Sequence, residues 1–210
     1  MAKNNLNIQP ENRLIVSHVE DIIKQTLKKH ILMFSDFFTP SQAEDVIKTA
    51  EFQRDVNFAV FGGNDECERR IIGFCPDYAE ITNQDFPINA VKISYNKKFS
   101  TEMSHRDYLG SILGLGIDRS KVGDILVFDG SAICYVKREI AEYISANLNK
   151  VGHNNVRTDI LALDEVVLPE LKTEEKSFTV SSLRIDAVAG GAFNMARGKI
   201  QSLIEGEKEF

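Results

Sequence analysis

The sequence is poor in cysteine, and its three cysteines, Cys67, Cys75 and Cys134, form no Cys-x-x-Cys pair. An odd and sparse set is typical of reduced thiols in a cytosolic protein rather than of a disulfide framework. No segment approaches the roughly 18 apolar residues of a membrane-spanning helix, and the first residues lack the apolar stretch of a signal peptide. We therefore expect a soluble cytoplasmic protein that does not enter a membrane.

The sequence also lacks a complete catalytic or cofactor-binding motif. His105-Arg106-Asp107 resembles the catalytic loop of protein kinases, but Ile112 stands where that loop requires Asn. A Gly-x-Gly pair lacks the third glycine of a dinucleotide-binding fingerprint, and the four histidines have no spacing typical of a metal site. We expect no catalytic residue, metal ion or cofactor. The histidines are expected to have structural or surface roles, with His105 the candidate exception.

The 210 residues carry a net charge of −6, which is unfavourable for binding nucleic acid, but this charge is unevenly distributed. Residues 1–85 contain nine Lys and Arg against fourteen Asp and Glu, whereas residues 86–163 contain ten against eight. Residues 164–179 are acidic again, and residues 180–210 are balanced. The middle of the chain therefore has room for a local positive face.

Residues 1–85 have the pattern of a small α/β domain. An amphipathic helix is predicted over residues 13–29. Thr39-Pro40-Ser41-Gln42 predicts the start of a second helix, with Thr39 as its N-cap and Gln42 completing a capping box. Two strand-like segments, Asn57–Phe61 and Arg70–Phe74, then flank a Gly-Gly-Asn-Asp loop, which predicts a hairpin.

Residues 86–163 alternate strands and helices in the order βαββαβ, which is typical of the ferredoxin-like fold. The predicted elements are a half-buried strand Asn89–Tyr95, helix 104–113, strands Asp124–Phe128 and Ser131–Val136, helix Lys137–Asn149 and strand Val156–Leu163. Asp129-Gly130 between the two middle strands is a strong signal of a two-residue hairpin turn. Tyr143 is expected on the apolar stripe of the second helix. The strand Ser131–Val136 has only Tyr135 as an aromatic residue, so RNA bases are not expected to stack on the sheet.

The rest of the chain is predicted to be a linker followed by a helical motif. Residues 164–181 form the linker, with a short strand at 177–180. Residues 182–210 contain two short helices separated near Asn194, and the chain then ends without a closing strand, which indicates a truncated or naturally shortened chain. The predicted fold class is α+β: a small N-terminal α/β domain, a central ferredoxin-like RNA-binding domain and a partial C-terminal helical motif.

Two groups of basic side chains are candidates for RNA contacts. The central group is Arg106, Arg119 and Lys121, and the C-terminal group is Arg184, Arg197 and Lys199. The central group lies in the first turn of a predicted helix and in the turn before a strand, where it could face phosphates. An ordinary solvated loop stays open as an alternative for it. In the C-terminal group, the side chains and the helix amides could converge on one phosphate.

The C-terminal group lies in a motif that resembles the S-four RNA-binding domain, named after a protein of the small ribosomal subunit. The stretches Leu183-Arg-Ile-Asp-Ala-Val and Phe193-Asn-Met-Ala-Arg-Gly-Lys-Ile-Gln-Ser-Leu-Ile-Glu-Gly follow that domain's usual order of Arg-Leu-Asp, Ser-Arg-x-x-Ala and Leu-Ile-x-x-Gly. Ala196 replaces the customary serine cap, Gly190-Gly191 weakens the first helix, and the closing strand is absent.

Upstream, the stretch from His105-Arg-Asp-Tyr-Leu-Gly to Gly123-Asp-Ile resembles the YlmH family of ribosome-associated proteins. The resemblance implies an N-terminal α/β domain (1–85), a ferredoxin-like RNA-binding domain (86–163) and an S-four domain (182–210). It also implies binding of rRNA and tRNA on the large ribosomal subunit, in rescue or quality control of stalled translation. RNA contacts are implied for both basic groups, together with His105. We expect a monomer that binds neither DNA nor a membrane.

Two other functions stay open. S-four domains also occur on pseudouridine synthases, which would make the protein an RNA-modifying enzyme. However, the only tripeptide resembling their catalytic motif, Arg184-Ile185-Asp186, lies inside the S-four motif, and residues 1–163 show no second acid–base group. The acidic N-terminal domain could instead serve as a protein-interaction adaptor linked to cell division. We expect a non-catalytic RNA-binding protein rather than either of these.

Overall fold

The computed structural model describes residues 8–51, 55–168, 175 and 177–206. The chain divides into two compact units, Met1–Val167 and Leu168–Phe210. The helices are α1 (Arg13–Lys29), α2 (Pro40–Ala50), α3 (His105–Leu113), α4 (Arg138–Asn147), α5 (Ile185–Ala192) and α6 (Arg197–Gly206). The strands are β1 (Met33–Phe34), β2 (Val56–Phe61), β3 (Ile71–Pro76), β4 (Ile88–Tyr95), β5 (Val122–Phe128), β6 (Ser131–Lys137), β7 (Lys150–Val151) and β8 (Asn154–Leu161). The α+β class is confirmed.

The N-terminal part of the first unit packs α1 and α2 on an antiparallel sheet of order β1-β3-β2. Val19, Val46 and Phe74 are completely buried in the core between them. The predicted capping box is confirmed, because the Thr39 hydroxyl accepts from the Gln42 N–H and the Gln42 side chain accepts from the Thr39 N–H at 2.9 Å. The predicted hairpin is formed by β2 and β3.

The central sheet has the order β5-β6-β4-β8-β7, and all of its pairs are antiparallel. Four of these strands with α3 and α4 form the predicted βαββαβ arrangement, so the ferredoxin-like fold is confirmed. Gly130 has φ +86° in the predicted hairpin turn. The last strand lies two residues earlier than predicted, because Gly152, at φ +56°, turns the short additional strand β7 back into β8.

One face of the central sheet packs against α3 and α4 and forms the larger core, with Val91, Ile93 and Ile144 fully buried. Two details of the predicted second helix were wrong. Lys137 belongs to β6 rather than to α4, and Tyr143 is 49 % exposed, with its hydroxyl donating to the carbonyl of Leu115.

The opposite face of the central sheet is partly covered by the N-terminal hairpin. Ile88 and Ala90 are buried there, so the half-buried description of β4 holds only for its second half. The Tyr135 ring is completely buried, and its hydroxyl accepts from the Asn64 side chain at 3.0 Å. A Cβ on Gly63 would lie 2.3 Å from that ring. The N-terminal α/β domain and the central domain, which were predicted as separate, are therefore packed together within one compact unit.

The second unit contains α5 and α6, separated at Asn194, which has a left-handed φ of +50°. The predicted strand at 177–180 is absent, since these residues have no regular secondary structure. Part of the predicted linker, residues 169–174 and 176, lies outside the described residues. Among the described helices, none is both long and apolar enough to cross a membrane.

Candidate nucleic-acid interface

Asp186 organises the C-terminal basic group. Its carboxylate accepts from Arg197 Nε at 2.7 Å, from Gln201 Nε2 at 3.0 Å and from Arg184 Nε at 3.2 Å. The N–H of Ala187 donates to it as well, at 3.0 Å. These bonds, with that from Arg197 the strongest, hold the pKa of Asp186 well below its ordinary value. The carboxylate is therefore ionised at neutral pH and fixes both arginines.

The two arginines are held by Asp186 without being covered by the protein. The Asp186 side chain is 5 % exposed, whereas the Arg184 and Arg197 side chains are 68 % and 51 % exposed. Both ion pairs use Nε, which leaves the Nη groups of each guanidinium available to a ligand. An arginine presents its donors in a planar fork that suits a phosphate, and orientation by a neighbouring carboxylate reduces the entropy lost on binding.

Lys199 adds a third cation in the first turn of α6, where its side chain is exposed. Arg197 is the first residue of the same helix. The positive end of the helix dipole and both cations therefore lie at one helix terminus, as the sequence predicted. The backbone N–H of Lys199 already bonds to the carbonyl of Ala196, at 2.9 Å, so side chains rather than that amide are available to a ligand.

Gly191, in the last turn of α5, has a packing role. A Cβ on Gly191 would lie 2.4 Å from Phe178 Cδ2, so glycine allows this ring to pack directly on the helix backbone. Arg184 is the N-cap residue of this helix, and Asp186 lies in its first turn. The two glycines lower the helix propensity of α5, and the contact between Phe178 and Gly191 offsets part of this cost. The contact thereby helps to hold the helix that positions Arg184 and Asp186.

The central group has a different setting. Ser104 caps α3, and its N–H and hydroxyl donate to Asp107 at 2.8 Å and 2.7 Å, which lowers the pKa of that carboxylate. The kinase-like tripeptide is therefore part of a capping box. His105 and Arg106 are exposed in the first turn of α3.

Arg119 and Lys121 contact the N-terminal domain. The Lys121 ammonium bonds to Asp36 Oδ1 and to Glu139 Oε1, both at 2.9 Å. The Arg119 carbonyl accepts from Arg69 Nη2 of the N-terminal domain at 3.4 Å, whereas the Arg119 guanidinium donates to the carbonyl of Val122 in its own domain, and burial lowers its pKa. The structure thus gives these two residues a joining role between domains. Their RNA contacts stay a prediction.

Arg69 lies at the same contact between the N-terminal and central domains, which we call the joint and which also includes Asp36, Arg119 and Lys121. The sequence analysis missed Arg69. Its Nε donates to Val122 O and its Nη2 to Phe37 O, both at 3.0 Å. Burial and the nearby Arg119 lower its pKa to about 10. Asp124 accepts from the Arg69 N–H at 3.3 Å. No local motif marks such contacts, because the partners lie more than 30 residues away in sequence.

Comparison with known proteins extends these observations. Residues 82–165 match the family model described as "Putative RNA-binding domain in YlmH". The ribosome-associated protein quality control protein P2 of Bacillus subtilis (strain 168) is 30 % identical over 178 residues, which are 85 % of this chain and 68 % of that relative. The cell division protein YlmH from Streptococcus pneumoniae has a similar structure, with a TM-score of 0.63 over 75 % of this chain and 94 % of that one. At 23 % identity, this last likeness shows the fold alone.

The matched segment 82–165 coincides with the ferredoxin-like sheet and its two helices, and therefore supplies the RNA-binding domain. The similarity to the Bacillus subtilis protein extends well beyond that segment, over most of both chains. The resemblance seen in the sequence is thereby confirmed, and the chain belongs to the YlmH family.

Proposed function

We propose that this protein binds rRNA and tRNA on the large ribosomal subunit and acts, without catalysing a reaction, in quality control or rescue of stalled translation. The observation that carries the proposal is the pair Arg184 and Arg197, oriented through Nε by one buried carboxylate and more than half exposed. The RNA-binding domain at 82–165 and the name of the Bacillus subtilis relative support the same function.

The state of the nucleophilic side chains supports a non-catalytic role. Burial raises the pKa of Cys67 to about 11 and that of Cys134 to about 12, so these thiols stay protonated at neutral pH. Asp186 resembles the catalytic aspartate of a pseudouridine synthase only through its tripeptide. Its side chain is 5 % exposed and accepts hydrogen bonds from three side chains. A carboxylate in this position orients its neighbours and is not accessible to an RNA base.

Cosedimentation with purified ribosomal subunits tests the proposal. We expect the full chain to pellet with large subunits at low salt and to dissociate as salt rises, because phosphate contacts release counterions. The triple variant Arg184→Gln, Arg197→Gln, Lys199→Gln should bind at least about tenfold more weakly, since each lost phosphate contact weakens binding. A matched triple variant of exposed cations on α1, Lys24→Gln, Lys28→Gln, Lys29→Gln, should bind like the original chain.

Three results would contradict the proposal. The first is equal binding by both triple variants, which would favour an adaptor that uses the N-terminal domain. The second is the absence of binding to large subunits even at low salt. The third is release of tritium from uridine-labelled ribosomal RNA by the purified chain, which would indicate a modifying enzyme.

A further inference from the structure

A cleft of about 520 Å³ opens in the first unit between the N-terminal hairpin and the RNA-binding domain. This volume lies within the range of about 300–1,000 Å³ that is typical of small-ligand sites. All of its lining residues except Phe61 and Gly63 lie within residues 82–165. The cleft is thus formed mainly by the RNA-binding domain and is closed on one side by the hairpin.

The apolar side of the cleft is formed by aromatic rings. Phe61 and Phe86 meet edge to face, with ring centroids 5.5 Å apart. Phe86 is buried beneath, at 1 % exposure, while Phe61 is partly exposed. Gly63 brings the hairpin close enough to form this wall, because its φ of +115° and its missing Cβ allow direct contact with the Tyr135 ring.

The polar side consists mainly of amides. Asn83 and Gln84 are exposed at the rim, on the short 3-10 turn Asn83–Asp85. Asn89 lies deeper, and its Oδ1 has no hydrogen-bond partner within the described part of the chain. An amide both donates and accepts hydrogen bonds, so this side chain has an acceptor that the protein leaves unused. Asp164 supplies a carboxylate acceptor.

This combination fits a nucleobase better than a phosphate. Among the described residues, Arg138 is the single cation that lines the cleft, and it already donates to the carbonyl of Phe86 at 3.2 Å. The carboxylate of Asp164 would repel a phosphate. A nucleobase, in contrast, has a π-face that stacks on an aromatic ring and an edge that amide and carboxylate groups read.

The sheet face beneath the hairpin, next to the cleft, also favours this location. Many RNA-binding sheets stack bases on exposed aromatic side chains, but the aromatic residue of β6, Tyr135, is completely buried under the hairpin. We infer that the cleft lined by Phe61, Asn83, Gln84 and Asn89 receives one unstacked nucleobase of the bound RNA. The inference rests on the proposed function and adds a base-reading site to the phosphate contacts of the C-terminal group.

The test uses the full chain and a fluorescein-labelled, single-stranded 12-nucleotide RNA of mixed sequence, measured by fluorescence anisotropy at low salt. The double variant Asn83→Ala, Gln84→Ala should bind roughly tenfold more weakly, as expected for loss of the contacts to one base. Its salt dependence should keep the original slope, because no cation is removed. Gln25→Ala, which removes an exposed amide on α1, is the matched control and should leave the affinity unchanged.

An abasic RNA of the same length identifies the group that is bound. The original chain should bind it roughly tenfold more weakly than the mixed-sequence RNA, whereas the double variant should bind both equally. Chemical unfolding followed by circular dichroism should show that both variants fold as stably as the original chain, since the substituted side chains are exposed.

The outcomes separate this inference from the proposed function. Binding of RNA that is unaffected by the double variant, or by loss of the bases, overturns the base site and leaves the RNA-binding function intact. Failure of the original chain to bind either this RNA or large subunits overturns both. Displacement of the RNA by micromolar nucleoside monophosphates would assign the cleft to free nucleotides, and crosslinks from the cleft to a ribosomal protein alone would assign it to a protein. Either result overturns the inference.

Discussion

The two groups of basic side chains carry similar charges in contrasting surroundings. In the central group, Lys121 bonds to two carboxylates of its own unit, and its side chain is 31 % exposed. In the C-terminal group, Arg184 and Arg197 share one carboxylate and stay more than half exposed. A cation next to a carboxylate is therefore not by itself a binding residue. What distinguishes the groups is whether the neighbouring carboxylates use up the donors or only orient them.

The largest effect is expected at the contact between the N-terminal hairpin and the central sheet, where Gly63 packs on Tyr135. Gly63→Ala should destabilise the chain by about 3 kcal/mol, because it adds steric overlap with the Tyr135 ring to the strain of a positive φ. Gly116→Ala should cost only about 1 kcal/mol, because Gly116 has φ +82° but open space around it. Urea unfolding followed by circular dichroism measures both. Equal losses would show that the hairpin is loosely packed on the sheet.

The next effect concerns the charges of the joint. Asp36→Ala removes one of the two partners of Lys121 and leaves the 10 % exposed Lys137, whose Nζ lies 3.5 Å from Asp36 Oδ1, with Glu139 as its remaining counter-charge. We expect a loss of about 2 kcal/mol in the free energy of unfolding, less than for a fully buried pair because Asp36 is partly exposed. Asp21→Ala breaks the exposed pair with Lys24 and should leave the free energy of unfolding almost unchanged.

Removing one cation from each basic group tests the contrast between the two groups directly. Arg184→Gln should weaken binding to large subunits about tenfold and reduce the salt slope by about one, with little effect on stability. Lys121→Gln should lower the free energy of unfolding by about 1 kcal/mol and change the affinity less than about twofold. If Lys121→Gln instead weakened binding while stability was retained, the central group would bind RNA after all.

The smallest effect is a dependence on pH that arises from Asp186. Its pKa is held below the ordinary value of 3.8, first by the hydrogen bond from Arg197 and then by Arg184. The stabilisation is therefore fully present above pH 3.8 and is lost as the pH falls through the lowered folded-state pKa. We expect the Arg197 Nε–H resonance to stay protected from exchange at pH 3.8 and to lose protection only at lower pH. Asp186→Asn should remove this transition, and an unchanged pH profile in that variant would contradict the assignment.

Much of the fold could be predicted because its signals are local. The Thr39 capping box, the Asp129-Gly130 turn and the strand order of the central domain were all predicted within a few residues of their true positions. Periodicity failed where tertiary contacts decide burial. Tyr143 lies on the apolar stripe of α4 by spacing, yet its hydroxyl reaches the Leu115 carbonyl at the surface.

The candidate site was predicted less completely than the fold. Arg184, Arg197 and Lys199 were found from their place in the motif, and the structure brings Arg184 and Arg197 together. The role of Asp186 as their shared acceptor was not predicted, since the sequence shows that carboxylate only as part of a tripeptide. Arg69 and Asp36 carried no signal, because their partners come from distant segments.

By itself, the sequence determined most of the secondary structure, the ferredoxin-like order and membership of the YlmH family, because caps, turns and motifs act over a few neighbouring residues. Only the tertiary structure decided which cations are exposed. Lys121 meets a carboxylate 85 residues earlier in the chain, and this contact commits its charge to the joint. Arg184 and Arg197 meet a carboxylate that holds them through Nε and leaves them exposed. Burial and long-range pairing, which depend on the packed fold, thus separate side chains that look equivalent in the sequence.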